Sequence, residues 1–447
     1  MKKIATIIGT TGVGKSQLGV EICKALGGQV INADAMQVYK GLDIITNKMP
    51  MHERLGIQHH LMDFLEPEQE YKVTQFKDDC SNCIESIWHD NQLPVVVGGT
   101  NYYVQSLLYQ NSLIKGEDVA RSPSPEPMPD LDVLPTDDLY QRLQQVDPIM
   151  ANKWHPSNRR KILRSLQVYY QMGRPQSDII KDQHTHHERF GSQARFPSII
   201  FWLYADPLQL NPRLDDRVTS MIKTGLFEEI KQLRQRVVEG QVNLPPGQVD
   251  EQYQRGLWQA IGYKEFDPYF TALEANALSM EDLDKIKDEC TEKMKTATRR
   301  YAKRQVQWIR NKLLPTIWNA KQDDVKIYLL DAGDLSLWNT NVRDKAIEVA
   351  RAFQNGDTLP DPTSLSEAAK TMLTQTELQD TQSRILGWQN HTCPICKTDK
   401  GDQLILYGDI EWEQHKKSRW HRKSIKTLKR KAAMDMNRPN APPPTDD

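Results

Sequence analysis

The run GTTGVGKS at residues 9–16 leaves this chain few folds to adopt. A β-branched segment, Ile4 to Ile8, leads into it, and an amphipathic helical pattern with Leu18, Val20, Ile22 and Leu26 follows. Strand, glycine-rich turn and helix in that order form a phosphate loop of the type G-x-x-x-x-G-K-[ST]. Gly9, Gly12 and Gly14 permit the sharp turn, so that with Thr10, Thr11 and Val13 successive N–H groups and a helix N-terminus face one anion. Lys15 adds a point charge, and the Ser16 hydroxyl is suited to a phosphate-bound Mg²⁺. The loop calls for a phosphorylated ligand and does not by itself make that ligand ATP.

The rest of the chain extends this start. Short apolar strands alternate with helices: Val30-Ile31 after the first helix, then LPVVV at 93–97, SIIFWLY at 198–204 and a strand-like run from Val325 to Leu330. That alternation predicts an α/β fold, a parallel-sheet core carrying the phosphate loop. Between the strands lie a proline-rich polar stretch, SPSPEPMPD at 122–130, expected to be a disordered loop, and a helical segment over 135–182. A second polar break follows at 183–195. The expected organisation is a core at 1–114 and 197–356, a helical insertion domain at 115–196 and a linker at 357–385. A C-terminal module with a basic extension (386–431) and a disordered tail (432–447) complete the chain.

Composition excludes some functions. No run of 18 apolar residues exists, so no membrane partner is expected. The first strand is expected to begin by residue 4, so no targeting peptide is expected ahead of it. Six cysteines in 447 residues suggest a reducing compartment and no disulfide framework. A cytoplasmic protein is expected, with nuclear and mitochondrial pools compatible.

Three features carry the chemistry. Asp34 stands just past the second strand, where strand ends converge on the ligand crevice, and there it can accept a proton from a nucleophile. An isolated Asp would more often cap a turn; beside a phosphate loop, catalysis is the better reading. The second feature is an absence. An ordinary NTPase strand ends in an Asp that orders Mg²⁺, whereas LPVVV ends in Gly98-Gly99-Thr100, which disfavours an ATPase motor. A small phosphoryl-transfer enzyme, or one using diphosphate as leaving group, remains. The third is the tail: Cys393-x₂-Cys396, eighteen residues, then His415-x₅-His421, a donor set for structural Zn²⁺ in a C2H2-type zinc finger. Nine Lys or Arg lie between Lys416 and Lys431 with Trp412 and Trp420 alongside, a pattern that suits nucleic-acid phosphates.

A second basic cluster spans 293–310, where Arg299/Lys303 and Arg300/Arg304 fall at i, i+4. Like charges at that spacing destabilise a helix unless a polyanion is near. Tyr301 and Trp308 among them could pack inward or stack on bases. Cys80 and Cys83 read as ordinary helix cysteines, His59-His60 as turn formers, and His184, His186 and His187 as solvated loop residues.

These motifs together resemble the tRNA dimethylallyltransferases (tRNA isopentenyltransferases), of eukaryotic, fungal type. The resemblance rests on GTTGVGKS at 9–16, NADAMQVYKGLDIITNK at 32–48, VVGGTNYYVQSL at 96–107 and HPSNRRKILRSLQVYY at 155–170. It continues in RLDDRVTSMIKTG at 213–225, QAIGYKEF at 259–266, TRRYAKRQVQWIR at 298–310 and the finger. It implies transfer of a dimethylallyl group from its diphosphate to N6 of the adenosine just 3′ of the anticodon. The loop, Thr11 to Ser16, would then hold the donor's diphosphate with Mg²⁺. Asp34 matches the family's general base, Arg217 an arginine on the leaving diphosphate, and Thr100 a residue of the reaction channel that touches tRNA.

The stretch Asp34, Ala35, Met36 and Gln37 corresponds to contacts with the flipped base, which must leave its stack to react. Arg160, Lys161, Ile162, Leu163 and Arg164 correspond to a tRNA-contacting stretch, as do Gln259, Ala260, Ile261, Gly262, Tyr263 and Lys264. Arg299, Arg300, Lys303, Arg304, Gln305, Val306, Gln307, Trp308, Ile309 and Arg310 form a third. The family usually carries Ser where this chain has Ala35, which removes one side-chain hydrogen bond. The implied partners are the tRNA anticodon stem-loop and dimethylallyl diphosphate, with the chain acting as a monomer. Two rivals are a nucleoside or metabolite kinase, which leaves the basic helix and finger unexplained, and an RNA-binding adaptor, which leaves Lys15-Ser16 and Asp34 unexplained.

Overall fold

The computed structural model describes residues 2–110, 130–131, 133–182, 193–244, 253, 255–276, 278–320, 324–374, 390–398, 401 and 403–436. Six strands form one parallel sheet: β1 (Ile4–Gly9), β2 (Gly28–Asn32), β3 (His59–His60), β4 (Leu93–Val97), β5 (Ser198–Tyr204) and β6 (Val325–Asp331). Their spatial order is β3-β2-β4-β1-β5-β6. Strand β1 is central, with Ile7 opposite Val97 on one side and Phe201 on the other. It is buried along its whole length and apolar but for Thr6, as a strand covered on both faces requires.

Helices α1 (Lys15–Leu26), α2 (Val73–His89) and α3 (Asn101–Leu108) follow β1, β3 and β4. Leu18 and Ile22 of α1 join Ala5, Ile7 and Val95 on one face; Phe76, Ile84, Val104 and Leu107 join Ile4, Ile8 and Val96 on the other. After β5 come α7 (Pro207–Lys223), α8 (Leu226–Val238), α9 (Tyr263–Ala275) and the long α10 (Met280–Trp308), which runs through a π-turn into α11 (Leu314–Trp318). Residues of α7, α8, α9 and α10 pack with Val38, Tyr39, Leu42 and Ile45, which anchors the loop that follows Asp34. Helices α12 (Asp344–Asn355) and α13 (Glu367–Leu373) complete this unit.

The chain divides into two compact units, 1–113 with 190–377 and 114–189 with 378–447. Helices α4 (Thr136–Val146), α5 (Pro148–Lys153) and α6 (Arg159–Met172) of the second unit enclose Leu139, Leu143, Ile162, Leu163 and Leu166. The expected insertion boundary at 196 shifts, because Ala194 bridges to Tyr109 and Arg195 N–H donates to the Leu108 carbonyl at 2.8 Å, holding this segment on the core. The expected linker also begins too early. Residues 357–374 pack on the sheet unit, where Ala369 and Leu373 are buried and Tyr328 Oη donates to the Pro360 carbonyl at 3.1 Å. Burying a leucine contributes about 1.5–3 kcal/mol, and Leu359 and Leu365 of the same stretch also pack against the core. His59 and His60 are an edge strand opposite Val30 and Ile31, because β2 still had an unpaired side. The proline-rich stretch up to residue 129 and His184, His186 and His187 lie outside the described residues. No helix among the described residues is long and apolar enough to cross a membrane.

Candidate active site and metal centre

The phosphate loop leaves β1 at Gly9, whose φ of 146° only glycine adopts readily, and enters α1 through Gly14 at φ 90°. A side chain on Gly9 would strike the Leu203 carbonyl, and one on Gly14 would lie 2.6 Å from the Trp338 ring. The left-handed geometry is thus enforced by close packing on both flanks. Lys15 Nζ donates to the Thr10 carbonyl at 2.7 Å, folding back along the loop.

Asp34 stands two residues past β2 and is partly buried. Its Oδ1 accepts the Met36 N–H at 2.9 Å, and its own N–H donates to Asn32 Oδ1 at 3.1 Å, so the side chain is locked in a turn. Thr100 closes that turn: its Oγ1 accepts the Ala35 N–H at 3.0 Å, while its N–H donates to the Ala33 carbonyl at 3.2 Å. Gly98 and Gly99 make the approach possible, since a Cβ on Gly98 would collide with the Ala33 carbonyl. A Cβ on Gly99 would stand 3.6 Å from Asp34 Oδ2 and 3.7 Å from Lys15 Nζ. Asp34 and the loop lysine therefore flank the same point above β4.

Arg217 arrives from α7, with NH2 donating to Thr11 Oγ1 at 2.7 Å. Its Nε and the Thr10 Oγ1 are buried and have no partner among the described residues. A buried cationic donor lacking an acceptor fits an anion bound at this loop. Burial pulls Arg217 down to about 10, with Asp34 acting against the shift. Burial likewise lowers Lys15 to about 8; Asp34 opposes this and Arg217 adds to it. Burial raises Asp34, with the Met36 N–H and the charges of Lys15 and Arg217 opposing. Asp34 is the carboxylate that both cations feel, and its raised pKa makes it a better base than an exposed aspartate.

The tRNA-contacting stretches expected from the sequence divide by burial. Arg160, Lys161 and Arg164 are exposed on α6, but Ile162 and Leu163 sit in that unit's core. Gln259 and Lys264 are exposed, Ile261 is half-buried, and Ala260, Gly262 and Tyr263 are buried, with Gly262 at φ 121° starting α9. On α10 and the π-turn after it, Arg300, Lys303, Arg304, Gln307 and Arg310 are exposed, whereas Ile309 is buried and Val306 packs against the sheet. Arg299 is ion-paired to Asp215 of α7, so part of the like-charge stress on α10 is relieved within the protein. Tyr301 is near enough for Asp34 to help raise its phenol, chiefly raised by burial. Trp308 packs edge-on to Tyr102, turned toward the protein.

Two contributions had no local signal. Gln305 is buried at 4% exposure and reaches the phosphate loop from 294 residues away. Lys48 is also buried; it donates to the Tyr39 and Gly41 carbonyls at 2.6 and 2.5 Å and pairs with Asp43 and Asp63. That knot braces the loop after Asp34, where Leu42 and Asn47 take left-handed backbone at φ 55° and 52°.

In the second unit β7 (Asn390–Lys397) pairs antiparallel with β8 (Gln403–Tyr407), and α14 (Gly408–Lys417) and α15 (Arg419–Met436) follow. Cys393, Cys396, His415 and His421 are all buried, with donor atoms within 4.8 Å of one another. His421 Nδ1 lies 3.6 and 3.5 Å from the two sulfurs and 3.0 Å from His415 Nε2. Bond lengths of about 2.3 Å to sulfur and about 2.0 Å to nitrogen give tetrahedral edges of roughly 3.3–3.8 Å, so the cluster fits one small tetrahedral cation. The Cys396 N–H donates to Cys393 Sγ at 3.2 Å, stabilising thiolate character. Trp412 stacks on His391 at 5.5 Å and serves the module's interior, while Trp420 is exposed.

A family model described as IPP transferase matches residues 37–312. The chain is 37% identical over 432 residues to the tRNA dimethylallyltransferase of Saccharomyces cerevisiae, covering 96% of this chain and 94% of that one. It is 38% identical over 445 residues to the Schizosaccharomyces pombe enzyme of the same name, with 97% of each covered. A solved eukaryotic dimethylallyltransferase acting on tRNA superposes with a TM-score of 0.79 at 36% identity, covering 98% of this chain and 99% of that one. Likeness of this extent runs through the sheet, the loop and the Cys/His module alike, and by it the chain belongs to the IPP transferase family.

Proposed function

We infer that this protein transfers the dimethylallyl group of dimethylallyl diphosphate to N6 of the adenosine just 3′ of the anticodon of tRNA, releasing diphosphate. The observation that carries the reading is the placing of one carboxylate, Asp34, beside an anion cradle built by Lys15 and Arg217. In the transfer, the bond from the dimethylallyl carbon to the diphosphate oxygen breaks and a bond from that carbon to N6 forms. Asp34 takes the N6 proton. Lys15, Arg217 and the loop N–H groups meet charge that grows on the departing diphosphate, which is where preorganised donors are most effective. The hydroxyl of Thr100 holds the Ala35 N–H, so it positions the turn carrying Asp34 as well as bordering the channel.

Ser16, partly exposed in the first turn of α1, is the residue suited to a Mg²⁺ carried on the donor's phosphates. When bound, that ion would neutralise diphosphate charge. The donors for tRNA are the exposed cations of α6 and α10 and those of the finger, on a chain acting as a monomer. The activity test incubates the protein with tRNA, Mg²⁺ and either labelled dimethylallyl diphosphate or labelled ATP. Label on tRNA from the prenyl donor alone supports the reading. Phosphoryl transfer from ATP would replace it with a kinase, and no label from either donor would leave an RNA-binding adaptor.

The perturbed groups give the reaction a pH signature. Lys15 must be protonated to hold the diphosphate, so kcat/KM for the donor falls as pH rises through about 8. Asp34 must be ionised, and its raised pKa puts the acid limb above the usual aspartate range. Lys15→Arg, which cannot lose its proton in this range, is expected to lack the alkaline limb at whatever rate remains. An alkaline limb unchanged in that variant would assign it to another group.

In the finger the metal is taken as Zn²⁺. Cys393, Cys396, His415 and His421 would hold it with no open position, so it would stabilise the module's fold and take no part in the transfer. Cys393→Ser should release the metal and unfold the module, raising the KM for tRNA and flattening its salt dependence. With kcat at saturating tRNA unchanged, the module serves binding; a matching fall in kcat would give it a part in the chemistry.

A further inference from the structure

Gln305 lies in the stretch of α10 that the family resemblance puts on tRNA, yet its side chain faces the phosphate loop. Its Oε1 accepts the Thr11 N–H at 2.8 Å, and its Nε2 donates to the Gly99 carbonyl at 3.0 Å. One carboxamide thus ties the loop after β1 to the end of β4, the two strands between which the site opens. Asn101 Nδ2 reaches the Gln305 backbone carbonyl at 3.4 Å from the start of α3. A Cβ at Gly99 would come within 2.5 Å of Gln305 Nε2, so the glycine leaves room for this amide.

Thr11 is held from two helices. Gln305 of α10 takes its N–H, and Arg217 of α7 donates to its hydroxyl. The two helices are themselves joined by the Arg299–Asp215 ion pair. With its N–H engaged sideways, Thr11 sets the path of the loop, and the amides that follow it keep their aim at the anion. We propose that Gln305 is a positioning residue for the donor's diphosphate: it shapes the phosphate loop through Thr11 and contacts no nucleic acid. The proposal rests on the reading of this loop as the diphosphate site.

Two variants and one direct probe test it. Inorganic diphosphate with Mg²⁺ is titrated into the full-length protein by calorimetry, so that the measurement does not need prenyl transfer. Gln305→Met keeps the length and removes both hydrogen bonds; diphosphate should bind about tenfold or more weakly, with the KM for tRNA within about twofold of wild type. A raised KM for tRNA with unchanged diphosphate binding would return Gln305 to the nucleic-acid surface and overturn the proposal.

Gln305→Glu separates positioning from general packing. Ionised, it keeps the acceptor for Thr11 but repels the Gly99 carbonyl and the anion. Protonated, it reproduces both hydrogen bonds of the glutamine. The ratio of its diphosphate Kd to that of wild type, measured at each pH, should fall toward one as pH drops and the carboxyl protonates. A ratio flat with pH overturns the proposal, because damage to folding alone does not titrate. Failure of wild type to bind diphosphate would instead reject the donor reading of the loop. Wild-type binding matched by both variants would reject the role of Gln305 only.

Discussion

Asp34→Ala is expected to lower single-turnover prenyl transfer by about 10²–10⁴-fold while tRNA affinity changes little. The reason is the geometry of the turn after β2. Asn32 and Met36 lock the backbone around Asp34, and Thr100 closes the turn from β4, so the carboxylate has one place to be. Burial raises its pKa, which strengthens it as a base, while the Met36 N–H and the charges of Lys15 and Arg217 oppose that rise. Alanine also removes the acceptor for the Met36 N–H, which would loosen the turn. Asp34→Asn supplies the control, because its Oδ1 still accepts that N–H but cannot take a proton. Both variants should be nearly inactive with unchanged filter-binding of tRNA. Transfer by Asp34→Asn within tenfold of wild type would remove Asp34 from the base role.

The second large effect belongs to Arg217. Its guanidinium is buried, donates to Thr11 and keeps an unpartnered Nε, so it is organised before any anion arrives. Charge on the diphosphate grows as the carbon–oxygen bond breaks, and a preorganised donor there stabilises the transition state more than the bound substrate. Arg217→Ala should therefore lower kcat by about 10²–10³-fold, with a smaller rise in the donor KM. Lys15→Ala, which removes a charge felt in both states, should weigh more on KM. Steady-state kinetics with varied donor at saturating tRNA separate the two. A raised donor KM with kcat unchanged in Arg217→Ala would mean that Arg217 only binds the donor. Unchanged prenyl kinetics with lost ATP hydrolysis would shift the whole protein to the kinase class.

Much of this site is legible in the chain because its parts are local. The loop at 9–16 fits within one strand-to-helix turn, Asp34 follows a strand by two residues, and the two Cys and two His keep ligand spacing. Each is a short stretch whose own backbone chemistry decides what it can hold. Residue types in the α10 segment were legible as basic and aromatic, but not their direction. A helix turns 100° per residue, so Arg304 and Gln305 one position apart face solvent and phosphate loop respectively. The polar stretch at 357–374 reads as a linker, since two buried apolar side chains decide its packing and composition averages them away.

The sequence by itself determined the phosphate loop, Asp34 beside it, the alternating α/β order and the Cys/His set, each carried by a short motif or a local pattern. Only the tertiary structure decided that Thr100 closes the Asp34 turn, that Arg217 and Gln305 grip Thr11 from two helices, and that Lys48 is buried in a knot of carbonyls and carboxylates. The physical reason is range. A hydrogen bond between residues 206 or 294 positions apart leaves no periodicity or spacing in the chain, and it forms only after the sheet has brought the strand ends together.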